Sequence, residues 1–110
     1  MVEINGTTIK MTRGDTLRTQ VTMYDAQDQE YVPQEGDSIR FAMKRSYSDE
    51  EPLLVKTIPN ETQFLVLDPA DTKDLEAPGT FVYDIQITFA NGDVDTFISK
   101  AKLKLLEEVD

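Results

Sequence analysis

The chain has no cysteine, no histidine and no tryptophan. Without cysteine there can be no disulfide framework and no thiolate zinc site. Without histidine the commonest general base, the commonest zinc ligand and every Ser-His or Cys-His nucleophile are missing. Basic residues are scarce: 11 Lys and Arg stand against 21 Asp and Glu, for a net charge of −10. Such a chain repels phosphate backbones and anionic lipid, which argues against nucleic-acid and membrane partners. No apolar run approaches the ~20 residues of a membrane span. The opening Met-Val-Glu-Ile-Asn-Gly lacks the basic and apolar regions of a secretory signal. With base, nucleophile and oxyanion donors mostly gone, no enzyme activity and no cofactor are expected.

What is present is a β-sheet pattern. The 110 residues suffice for one domain over 1–110. Leu, Ile, Val and Phe make up about a quarter of the chain, above the roughly 20% below which disorder is expected. Phe81, Tyr83, Ile85, Ile87 and Phe89 alternate with polar or smaller residues, then Asn91-Gly92 leads into Val94, Thr96 and Ile98. Period-two alternation around Asn-Gly is a strong hairpin signal. Ile4, Ile9 and Met11 flank Asn5-Gly6; Leu17, Thr19, Val21 and Met23 share one parity, as do Ile39, Phe41 and Met43. Residues 53–58 and 64–67 read as strands apolar on both parities, so their facing stays open. Residues 71–76 form the one short helix, with Asp71 as candidate N-cap. About seven short strands predict an all-β, immunoglobulin-like antiparallel β-sandwich.

The last hairpin carries a sharper expectation. A two-residue turn at Asn91-Gly92 pairs Phe89 with Val94, Ile87 with Thr96 and Ile85 with Ile98. Leu103 and Leu105 then have the wrong parity for the core, so a β-bulge near Ser99-Lys100 is required. Phe97 is left exposed on the outer face, the best single candidate for a partner contact. The alternative, a three-residue turn with a Gly92 bulge, buries Phe97 and turns Val94 and Ile98 outward.

Other motifs have ordinary explanations beside the functional ones. Asp68, Asp71 and Asp74, with Glu76, have the ligand type for calcium. Their spacing matches no EF-hand loop, and acids at a helix start are favoured in any case; they remain weak candidates, and no metal site is expected. Residues 13–15 spell Arg-Gly-Asp, the integrin tripeptide, but Gly14-Asp15 also suits a turn before a strand. Asn5 and Asn60 lie in glycosylation acceptor triplets, inert without secretion. Gly79 and Phe81 resemble the E–F corner of immunoglobulin-like sandwiches, with Phe81 at the corner position and Tyr83 where antibody domains have a cysteine; lacking a hydroxyl, Phe81 cannot make the corner hydrogen bond.

Taken in order, Arg-Gly-Asp-Thr at 13–16, Gly-Asp before an alternating strand at 36–41, Pro-x-Asp-Thr at 69–72, Gly-x-Phe-x-Tyr-Asp-Ile at 79–85 and a short turn ending in Thr96 form a pattern. This pattern resembles the small immunoglobulin-like N-terminal domains of phage baseplate upper proteins and related prophage tail proteins of Gram-positive bacteria. The resemblance implies a virion structural protein working by protein–protein contact. It implies other virion or tail proteins, or further copies of the chain, as partners. It also implies location in the virion, or in the bacterial cytoplasm before assembly. The rival expectation is a bacterial adhesive or regulatory β-sandwich binding module, assisted by calcium.

Overall fold

In a computed structural model, residues 2–5, 7–24 and 27–108 are described, the first four by backbone alone. The structure is dominated by strand, with 52% of residues in strands and 4% in helix. The all-β class follows. Alternation in β6 (Ser38–Lys44) and β9 (Gly79–Thr88) sets the centre of the main sheet. These strands run antiparallel with Ile39 opposite Ile87, Phe41 opposite Ile85 and Met43 opposite Tyr83. Six apolar side chains therefore share one face, because the side-chain period of a strand is two. β10 (Val94–Leu106) lies on the other side of β9 and sets Leu103 opposite Phe81. β7 (Leu54–Ile58) pairs with β6. β2 (Thr8–Thr12) pairs with β10, and β1 (Val2–Asn5) with β2, giving the order β1-β2-β10-β9-β6-β7.

The β2–β10 pair is parallel, with Ile9 beside Leu103 and Met11 beside Leu105. The sheet is therefore mixed, not wholly antiparallel as expected. Alternation reports which face is buried and carries no information on the direction of a distant neighbour. Over this sheet lie β3 (Leu17–Gln20) and β8 (Phe64–Leu67), paired with Leu17 opposite Leu67 and Thr19 opposite Leu65. A short ribbon, β4 (Met23–Tyr24) and β5 (Glu30–Tyr31), continues from β3. Leu17, Val21, Met23, Leu65 and Leu67 join the sheet residues in one core. The described residues hold ten strands, not about seven. The open facings resolve by packing: Ile58, Leu65 and Leu67 point inward, and Val55 points out.

The expected helix over 71–76 is one turn, α1 (Pro69–Thr72). Its N-cap is Asp68; Asp71 is the third helical residue. Pro69 at the first helical position needs no N–H partner, which favours starting there. The Asp71 carboxylate accepts the Asp68 backbone N–H at 2.7 Å.

The β9–β10 turn is the three-residue alternative. Phe89 N–H donates to the Asp93 carbonyl at 2.7 Å and Gly92 N–H to the Phe89 carbonyl at 2.8 Å. Gly92 has φ +95, a conformation that costs glycine little. Thr88 thus faces Val94, Ile87 faces Asp95 and Gln86 faces Thr96. The two-residue register is overturned, and Val94 is outward and 58% exposed. Within the turn the Asp93 N–H donates to Asn91 Oδ1 at 2.9 Å, and from outside the hairpin the Asp37 carboxylate accepts the Ala90 N–H at 3.2 Å.

Two irregularities then correct the parity. The first lies between the Gln86–Thr96 and Ile85–Ile98 pairs, where Phe97 is the extra residue. The second lies between the Ile85–Ile98 and Tyr83–Ala101 pairs, where Ser99 and Lys100 oppose Asp84. This is the expected bulge. Lys100 adopts φ +56 and its N–H donates to the Asp84 carboxylate at 3.1 Å. Leu103 and Leu105 return to the core. Phe97, expected to be exposed, is half-buried and packs against the core, as does Ile98. The turn shifts the ladder by one residue and the Phe97 bulge shifts it back, so Ile98 ends opposite Ile85 by two compensating steps.

Candidate functional site

The acids considered for calcium are not gathered for a metal. Lys56 Nζ lies 2.8 Å from Asp71 Oδ2 and 3.9 Å from Asp68 Oδ2. Glu76 pairs with Arg45 at 3.2 Å, and Asp74 is exposed. Among the described residues no group of three or more Asp or Glu is arranged to hold a metal ion.

The Arg-Gly-Asp stretch is a structural corner. Arg13 grips the Glu108 carboxylate through Nε, at 3.1 Å to Oε1, and through Nη2. Its Nη1 donates to the Leu75 carbonyl at 2.9 Å. Gly14 N–H donates to the hydroxyl of Thr72, which is fully buried. The hydrogen bond from Arg13 holds the Glu108 carboxyl below its usual range, and Glu108 raises Arg13. A guanidinium held at three points is not displayed for a receptor.

A second corner centres on Asp37. Its Oδ2 accepts the Tyr31 hydroxyl at 2.5 Å and the Gln34 N–H at 2.8 Å, and its Oδ1 takes the Ala90 N–H. The Tyr31 bond, then the backbone donors, hold this carboxyl below the ordinary value. Asn60 Nδ2 donates to the Asp37 carbonyl at 2.8 Å, and Tyr31 meets Phe89 edge-on at 5.5 Å. These contacts gather the loops after β5, β7 and β9 at one end of the molecule. Residues 19–39, 57–72 and 86–99 contain no Lys or Arg. Glu35, Glu61, Asp93 and Asp95 are exposed there, so the described loops at this end carry acidic and no basic side chains.

Between this end and β2 one side of the core is open. β2 reaches β10 only from Leu103 onward, and no described strand pairs with the second edge of β10 over 94–102. β3 likewise has β8 on one edge and no described strand on the other. Between the two edges is a cleft of about 150 Å³, with Thr19, Val21 and Leu65 on one wall and Ile85 and Ile98 on the other. Tyr83 borders it and donates its hydroxyl to the Thr7 carbonyl. Desolvation pushes the Tyr83 phenol up to about 12. Sequence reasoning placed a contact at Phe97 and missed this opening. The available signal was the parity conflict along β10.

The geometry offers apolar and main-chain recognition. No helix is long and apolar enough to cross a membrane. No family model, no curated protein and no solved structure matches the chain.

Proposed function

We propose that this chain is an immunoglobulin-like sandwich that works by protein–protein contact, as a structural component of a phage or prophage tail or baseplate. The observation that carries the reading is the convergence of its weak motifs. Arg13-Gly14 meets the Pro-x-Asp-Thr segment through Thr72. Gly36-Asp37 meets the turn after Gly-x-Phe-x-Tyr-Asp-Ile through Ala90. Motifs that only their order linked in sequence thus pair in space, which chance tripeptides have no reason to do. The strand arrangement supports the sandwich: β6, β9 and β10 correspond to strands C, F and G, and β3 and β8 to B and E. The absence of His and Cys, the acidic surface and the open strand edges all suit a contact module.

The test is co-assembly. The genes flanking the coding sequence are identified, and their products are co-expressed with this chain and sized by light scattering. A stoichiometric complex with a tail or baseplate protein is the expected result. Flanking genes that encode no virion proteins, together with a chain that stays alone in every mixture, would overturn the reading.

A further inference from the structure

We infer that the open side of the core is a strand-acceptor site for an extended, cationic segment of another protein. The inference rests on the contact function proposed above and names where the contact occurs. Three observations carry it. The first is the pair of unpaired edges. Because Phe89 N–H donates to Asp93, the ladder alternation turns the backbone groups of Val94 and Thr96 away from β9, toward the empty side. A strand laid there would prolong the line of β2, which occupies the same side of β10 lower down. Main-chain pairing of this kind supplies affinity, and pockets for alternate side chains supply selectivity.

The second observation is the cleft itself. Its apolar walls, Val21, Leu65, Ile85 and Ile98, belong to the core or pack on it. A volume of about 150 Å³ is what an apolar group of benzene size needs. One aliphatic side chain from the incoming strand fits that space. The third is charge. Asp95 stands on the same face of β10 as Ile98, next along the ladder and exposed, with Asp93 beyond it. Arg18, the one base on β3, lies over the Phe64 ring at 5.8 Å, on the face away from the core. A second copy of this chain would bring another −10 to an acidic rim, whereas a segment alternating Lys or Arg with aliphatic residues meets both the rim and the cleft. The bulge at Ser99-Lys100 ends the acceptor edge, since bulged strands pair poorly.

The test uses the full chain, labelled with nitrogen-15, titrated with the peptide Lys-Val-Lys-Ile-Lys-Val-Lys. Expected are amide shifts confined to residues 18–22 and 93–99. Binding should be at least tenfold weaker for Glu-Val-Glu-Ile-Glu-Val-Glu. Asp95→Lys, a surface change that leaves folding intact, should weaken the cationic peptide severalfold, and Ile98→Lys should weaken it tenfold or more. Absence of shifts, shifts mapping elsewhere, or equal binding of the two peptides overturns the site. The contact function fails by a different result, the missing tail complex. A complex that forms as well with Asp95→Lys and Ile98→Lys as with the unaltered chain overturns the acceptor site and leaves that function standing.

Discussion

Single residues decide more here than their types suggest. Gly36 and Gly92 both have positive φ, at +92 and +95. A Cβ on Gly92 meets nothing within 4 Å, whereas one on Gly36 would sit 2.8 Å from the Ala90 Cβ. Gly92→Ala should therefore cost about 1–2 kcal/mol, the left-handed penalty alone. Gly36→Ala should cost more, and Ala90→Gly should recover the excess. Urea melts of the two single variants and the double variant measure this; equal costs at both glycines would refute it. Tyr83 makes a second prediction. Burial favours its neutral form and raises its pKa from about 10 in the unfolded chain to about 12. The resulting stability is complete below pH 10 and is lost as pH rises through 12. Tyr83→Phe should cost about 1 kcal/mol at pH 8, through the lost bond to Thr7. It should also flatten the decline between pH 10 and 12, which denaturant melts across that range would reveal.

At the scale of elements, the second bulge and the Arg13 corner hold the most information. Lys100 occupies φ +56 without being glycine. Lys100→Gly should stabilise by about 0.5–1 kcal/mol by removing that strain. Asp84→Ala deletes the acceptor of the Lys100 N–H and should destabilise. Paired thermal melts test both signs; a destabilising Lys100→Gly would mean the lysine stem contributes packing there. The Arg13–Glu108 pair joins the turn after β2 to the chain beyond β10. Glu108 and Asp37 both have lowered pKa values. A carboxylate lowered by folding stabilises above its unfolded pKa and loses that contribution as pH falls through the folded value. Stability should therefore drop below about pH 4, and less steeply in Asp37→Asn, as stopped titrations in urea would show.

For the whole molecule the dominant fact is a charge of −10 on 110 residues. Self-repulsion opposes compaction, and salt screens it over about 10 Å at 0.1 M. Melting temperature should rise between 10 and 200 mM sodium chloride; a flat or falling curve would contradict this. Calcium should raise it no more than magnesium does, since Lys56 already sits among Asp68 and Asp71. A rise of several degrees specific to calcium would reveal a site that these contacts do not accommodate.

The sequence by itself determined which residues are buried along each strand. Ile39, Phe41 and Met43, the odd positions of β9, and Leu103 and Leu105 all lie where alternation put them, because a half-buried strand admits only one apolar parity. It also raised a parity conflict along β10, since with a two-residue turn one regular strand could not bury both Ile98 and Leu103, and the strand does break at Ser99-Lys100. The sequence left the turn at Asn91-Gly92 open between two forms; the three-residue form is held by Asn91 Oδ1 on the Asp93 N–H and by Asp37 reaching the Ala90 N–H across the fold. That shift of one residue made Val94 outward, created the extra bulge and drew Phe97 half inward. The parallel pairing of β2, and the open edge it leaves above Leu103, also belong to the tertiary structure alone. Periodicity records how each strand meets the core; which strand lies beside which, and where a neighbour is missing, depends on contacts between residues far apart in the chain.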